Sequence, residues 1–302
     1  MKVICLKDYL LEPLQRTFQQ LDIRGSIDNN YDAEIIIADA NELTEENLKK
    51  IPSLKMAHST RTGVDAIAID YLKTNHITLC NARGLYSIPI AEDVVAKVLI
   101  YSTNALGYMK NKQMHIYQTI QNRNQLTNRT IGFLGTGSIA METARRLKPF
   151  GCKLLGYKRN VVNSLDYFDH LYYGNDLESF LVQSDILIVT LDLNPTSYHI
   201  INKETITMMK DGAAIINIAR GKVIDENALI EALKQKKIAY AGLDVFEEEP
   251  LAQNSCLWDM DSVYITPHAS GICVENHDLL FKIVKENIEN YINNGFLINK
   301  VC

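Results

Sequence analysis

The chain has 302 residues, 47% of them hydrophobic and 22% charged, with a formal net charge of −5. That length allows two domains with cores of ordinary size, and the mildly acidic balance offers no general attraction to nucleic acid or to an anionic membrane. Six cysteines are scattered without a C-x-x-C pair or metal-ligand spacing, and no apolar run suits a signal peptide or a membrane span. Free thiols, no metal and a cytoplasmic setting are expected.

The first part alternates apolar runs with helical patterns. Residues 3–6, 34–38, 54–58 and 77–80 read as strands, and residues 10–20 and 45–50 as helices. Repeated βα units imply a parallel sheet covered on both faces. This part has no glycine fingerprint, so it is not expected to hold a nucleotide. Its distinctive turn is Ser59-Thr-Arg-Thr-Gly-Val-Asp65, directly after a strand. Ligands of open α/β sheets sit beyond the carboxyl ends of strands, so the amides of Thr62 and Gly63 are candidates to hold a small carboxylate. A plain βα turn is the other reading. From Pro89 to about Gly107 the pattern is one long helix, with Val94, Val95, Val98, Leu99 and Tyr101 on its apolar side. The polar residues 118–128 that follow are a loop by composition.

Residues 130–140 read TIGFLGTGSIA. The apolar 131–134 predicts a buried strand, and Gly135, Gly137 and Ala140 match the G-x-G-x-x-G/A fingerprint of a dinucleotide site. The first glycine permits the tight turn, the second clears the approach of a pyrophosphate, and Ala140 lets the helix lie close to its strand. That helix shows Ile139, Ala140, Ala144 and Leu147 at helical spacing and is stopped by Pro149 and Gly151. Its N-terminus presents unpaired amides and a positive dipole end to phosphate. Thr136, Ser138 and Ile139 complete the expected contacts there. Further strands follow at 152–157, 185–190 and 213–218, and the last clear strand of this domain is expected at 239–243. Residues 203–209 read as a helix, Asp225 caps another, and residues 275–291 form a C-terminal helix.

Three polar residues follow apolar segments. Arg220 comes after Ile215-Ile-Asn-Ile-Ala219, Glu249 lies in Asp244-Val-Phe-Glu-Glu-Glu-Pro250, and His268 in Ile265-Thr-Pro-His-Ala-Ser-Gly271. An arginine grips a carboxylate with two prongs, and a histidine is the natural proton donor near neutral pH. A neighbouring carboxylate orients such a histidine and favours its charged form. Singly these read as a surface arginine, one acid of an exposed run, and a turn-capping histidine. Together, at strand ends beside a nucleotide fold, they read as an active site.

These segments resemble the D-isomer-specific 2-hydroxyacid dehydrogenase family, and the resemblance runs over nearly the whole chain. Ile216-Asn-Ile-Ala-Arg-Gly-Lys-Val-Ile-Asp225 is similar to the signature around that family's catalytic arginine. Gly242 to Pro250 is similar to its acid motif, and Thr266-Pro-His-Ala-Ser-Gly271 to its histidine motif. Residues 59–65 look like its carboxylate-binding loop, and Tyr86-Ser-Ile-Pro-Ile-Ala-Glu92 like the segment opening its interdomain helix. The resemblance implies two Rossmann-like doubly wound α/β domains, a flavodoxin-like substrate domain and a nucleotide-binding domain, with a cleft between them. Residues 1–85 with 273–302 would be the former and 86–272 the latter.

The implied reaction passes a hydride between nicotinamide and a small 2-oxo or D-2-hydroxy acid, with domain closure excluding water. Arg220 would bind the carboxylate, His268 carry the proton and Glu249 orient His268. Thr190, Ala219, Asp244 and Ser270 would meet the cofactor, and Tyr86 would line the substrate pocket. Members that prefer NAD carry an aspartate at the end of the second strand; here Lys158 stands at that position with Arg159 beside it, which suits a 2′-phosphate and predicts NADP, with NAD possible. Ser138 stands where many members have arginine, and Thr190-Leu-Asp192 replaces a more usual His-x-Pro. A homodimer through the helix after Pro89 is expected. Alternatives within the fold are phosphoglycerate oxidation and a non-catalytic, nucleotide-sensing scaffold of the co-repressor type.

Overall fold

Short, largely apolar runs, buried on both faces, make the central strands of two parallel sheets. The computed structural model describes residues 1–121, 123–161 and 164–302, which divide into two units, Met1–Tyr86 with Cys273–Cys302, and Ser87–Ile272.

In the first unit β1 (Lys2–Cys5), β2 (Asp22–Arg24), β3 (Ile35–Ala38), β4 (Met56–Ser59) and β5 (Thr78–Cys80) form a sheet in the order β2-β1-β3-β4-β5, with every pairing parallel. This is the flavodoxin-like order. Helices Asp8–Thr17 and Asn276–Ile292 cover one face, where Leu10, Leu14, Leu280, Val284 and Ile288 join Val3, Ile35 and Met56. Leu43, Leu48 and Leu72 cover the other face against Ile4, Ile36 and Leu79. The edge strand β2 escapes the periodicity, because its three residues bury only Ile23.

In the second unit β6 (Thr130–Leu134), β7 (Lys153–Lys158), β8 (His170–Tyr173), β9 (Ile186–Val189), β10 (Ala213–Asn217), β11 (Ile238–Leu243) and β12 (Val263–Ile265) run in the order β12-β11-β10-β9-β6-β7-β8. The order reverses between β6 and β9, which is the switch point of a dinucleotide-binding sheet. Two expectations need correction. The strand at 239–243 is not the last, since β12 pairs parallel with β11; its three half-buried residues offer no apolar run. Nor is the helix after Tyr86 continuous. It spans Ser87–Thr103, and Asn104 (φ 55°) then caps a second helix, Ala105–Gln113, accepting from the Gly107 amide at 3.3 Å. Asparagine tolerates that left-handed backbone better than most side chains. The polar stretch 118–128 includes Asn122, which lies outside the described residues.

The expected N-cap is in place: Asp225 accepts from the Ala228 amide at 3.0 Å. All six cysteines are free thiols. Among the described residues no helix is long and apolar enough to cross a membrane.

Candidate active site

The turn after β6 has the shape its glycines require. Gly135 has φ +105°, and a Cβ there would meet the carbonyl carbon and oxygen of Thr190 at 2.9 Å. Thr190 closes the same approach by donating its hydroxyl to the Gly135 carbonyl at 2.9 Å. Gly137 is the N-cap of helix Ser138–Leu147, and a Cβ built on it meets nothing within 4 Å. Open space therefore faces the unpaired amides of the helix's first turn, the cradle that a pyrophosphate requires. Ala140 is fully buried, which lets the helix lie close to the sheet. The Ile139 side chain packs into the adjoining core, leaving its amide as what it can offer a ligand. Gly156 on β7 leaves room for Thr136, whose Cγ2 would lie 2.7 Å from any added Cβ. Ser138 accepts a hydrogen bond from the Ser87 hydroxyl at 2.9 Å. These residues fit a dinucleotide.

At the carboxyl end of β7, Lys158 is half-buried and Arg159 exposed. The Arg159 guanidinium reaches the loop after β9, donating to Thr196 Oγ1 at 3.2 Å and Asn194 Oδ1 at 3.4 Å. Two cations thus stand at the strand end, one of them tied to the loop after β9.

Arg220 follows β10 in a turn tied by Asn217, a residue the sequence reading passed over as part of an apolar strand. Its buried amide accepts from the Ala219 N–H at 3.1 Å and donates to the Arg220 carbonyl at 3.2 Å. The Arg220 Nη1 donates to the Ala219 carbonyl at 2.8 Å. Immediately beyond, Gly221 lies against the backbone of the acid motif. A Cβ there would come within 1.9 Å of Phe246 C and O.

The acid motif runs on from β11. Of its three glutamates, Glu247 accepts from the Glu226 amide at 3.0 Å. Glu249 instead accepts from the Phe246 amide with Oε1 at 3.1 Å and faces His268 Nδ1 with Oε2 at 2.7 Å. A carboxylate only accepts, so Nδ1 carries the hydrogen and Nε2 is left for other chemistry. His268 has φ +52°, and its side chain is 52% exposed. Such a backbone persists only where its surroundings hold it, and here they do. The buried Asp244 carboxylate accepts from Thr266 Oγ1 at 2.6 Å, the Ala269 amide at 2.9 Å and the Ser270 amide at 3.2 Å. Burial pushes the Asp244 carboxyl up, but the hydrogen bonds from Thr266, Ser270 and Ala269 outweigh it and hold it below the usual carboxylate range.

The three remaining candidates lie in the first unit. Thr62 is exposed and Gly63 half-buried in the turn after β4. Thr62 donates its hydroxyl to the Ala82 carbonyl at 3.2 Å, and the Tyr86 hydroxyl donates to the Thr60 carbonyl at 3.2 Å. Burial pushes the Tyr86 phenol up.

The profile of the D-isomer specific 2-hydroxyacid dehydrogenase NAD binding domain matches residues 97–270. Glyoxylate reductase 1 of Saccharomyces cerevisiae is 33% identical over 280 residues, covering 88% of this chain and 77% of that protein. A glyoxylate/hydroxypyruvate reductase of Arabidopsis thaliana is 29% identical over 269 residues, 88% of this chain and 82% of that one. Among solved structures, a D-isomer specific 2-hydroxyacid dehydrogenase from Xanthobacter autotrophicus, in complex with NADPH and MES, superposes with a TM-score of 0.87 at 25% identity. That match covers 100% of this chain and 98% of the other.

Proposed function

This chain belongs to the D-isomer specific 2-hydroxyacid dehydrogenase family, and we propose that it reduces a small 2-oxo acid such as glyoxylate or hydroxypyruvate. The observation that carries this reading is the 2.7 Å contact of His268 Nδ1 with Glu249, on a turn bonded throughout to Asp244. A bound nicotinamide supplies or accepts the hydride. Arg220 grips the substrate carboxylate and draws electron density from the adjacent carbonyl. His268 gives a proton from Nε2 to the carbonyl oxygen as negative charge develops there, and takes it back in the oxidising direction. Glu249 keeps the ring facing one way and pairs with the imidazolium. The amides after Gly137 and the space above them receive the pyrophosphate.

The cofactor is NADP(H) rather than NAD(H). Lys158 and Arg159 put two cations at the end of the second strand, where a carboxylate would repel a 2′-phosphate. One experiment tests substrate and cofactor together: a panel of small 2-oxo acids assayed with NADPH and with NADH. Reduction with a kcat/KM at least about tenfold higher for NADPH is expected, one charge-assisted contact being enough for that ratio. Equal or better use of NADH refutes the cofactor assignment. Binding of NADPH without turnover on any acid refutes the enzyme and favours a scaffold.

Two copies pair through helix Ser87–Thr103 and its continuation Ala105–Gln113, on which Met109 is exposed, as are Met114 and Tyr117 just after it. Sedimentation should give the mass of two chains, and a single-chain mass at micromolar concentration ends this assignment.

A further inference from the structure

Helix Ser87–Thr103 carries a lysine on its buried face. Lys97 stands among Val94, Val98 and Ala91, and its side chain has no solvent exposure. An ammonium withdrawn from water is unfavourable unless it is paired and hydrogen-bonded. Both conditions are met here, and by a particular set of partners. Its Nζ is paired with Asp93, one turn earlier, and donates to Thr266 Oγ1 at 3.1 Å. Thr266 passes its own hydrogen to Asp244 at 2.6 Å. Asp93 accepts in turn from the Ser270 hydroxyl at 2.7 Å.

The geometry is that of a clamp. Thr266 and Ser270 are the two ends of the five-residue segment that carries His268 at its centre, and each end is bonded to one member of the Asp93–Lys97 pair. Asp244 holds the inner side of the same segment through the Ala269 and Ser270 amides. His268, with its left-handed backbone, is the residue whose direction all these bonds determine. Packing does not explain the pair, because apolar side chains of similar volume fill such positions in a helix–sheet interface as well or better. A methionine at position 97 could supply neither the directional hydrogen bond to Thr266 nor the charge that Asp93 pairs with while it accepts from Ser270.

We propose that Asp93 and Lys97 are positioning residues for His268: the pair, its lysine fully buried, fixes Thr266 and Ser270 and so keeps the imidazole Nε2 aimed for proton transfer. The proposal rests on His268 being the proton donor. Displacing a reacting group by about 1 Å can lower its rate by about a hundredfold.

The test is steady-state reduction of the best 2-oxo acid with NADPH by the full chain and its variants. Lys97→Met is expected to lower kcat about 10- to 100-fold while the NADPH Kd, read by fluorescence titration, stays within about threefold. Thr266→Val should reproduce that loss, and Thr266→Ser, which keeps the hydroxyl, should restore most of it. The double variant Asp93→Asn with Lys97→Met should be no worse than Lys97→Met alone, since the residues act as one unit. If Lys97→Met does not fold, the valine and serine variants at 266 carry the same comparison. Unchanged kcat in Lys97→Met or Thr266→Val overturns the proposal. So does a loss that follows only the folded fraction and disappears after correction for it. A loss of activity in His268→Asn together with full activity in Lys97→Met sinks the clamp alone, whereas retained activity in His268→Asn removes its premise.

Discussion

Asparagine in place of His268 is expected to lower kcat about 10²–10⁴-fold with the fold and cofactor binding intact. That loss corresponds to about 3–5 kcal/mol of transition-state stabilisation. Asparagine suits the test because it accepts the left-handed backbone at this position, so the turn keeps its shape. The imidazole is 52% exposed, so its removal takes little apolar area out of the core. What disappears is a group that can hold a proton on one nitrogen while the other is fixed against Glu249. The thermal midpoint and the NADPH Kd should stay near those of the parent. A kcat within about tenfold of the parent would remove proton delivery from His268, since general acid catalysis contributes more than that.

The parts of this fold that were legible in the sequence are those where burial is two-sided. The strands β3, β6, β9 and β10 are almost wholly buried, so they appear as apolar runs. The edge strands β2, β8 and β12 are half-solvated and short, and their residues carry no pattern that distinguishes them from turns. This matters for the site, because β12 is the element that delivers His268 three residues beyond its end. The glycine fingerprint was legible for the same reason that it is constrained: Gly135 has neither the backbone angle nor the room for a side chain.

Polar partnerships were harder to read. His268 and Glu249 stand 19 positions apart, and only the fold brings them to 2.7 Å. Which acid of the run at 247–249 faces the imidazole is decided by the Phe246 amide, which holds Glu249, and by the Glu226 amide, which engages Glu247. Lys97 was invisible because a lysine in an amphipathic helix ordinarily marks the solvated face. Its one sequence signal is Asp93 at i−4, a spacing equally common on surfaces. Asn217 was hidden likewise inside an apolar strand, though a lone amide in such a run is a sign that a turn is being tied.

Alanine at Gly221 is expected to be the most disruptive single methyl group in the second unit. The added Cβ would lie 1.9 Å from both C and O of Phe246 and 2.4 Å from the Glu247 nitrogen. All three are backbone atoms, so no side-chain rotation relieves the collision. The turn that follows is equally constrained, with Val223 fully buried and Ile224 bridged to Ile201. The arginine turn and the acid motif must therefore separate, at a stability cost of about 3 kcal/mol or more. For a unit of this size that is a fall of roughly 6–12 °C in thermal midpoint. Separation also carries the Phe246 amide away from Glu249 Oε1, releasing the carboxylate that orients His268. Any folded fraction should then show a lower kcat/KM as well as a lower midpoint, with Arg220 and Glu249 both displaced. Calorimetry and kinetics on the same preparation check this. Parental values of both would mean that the two segments do not touch at Gly221, and the link between the arginine turn and the histidine–glutamate pair would fall with them.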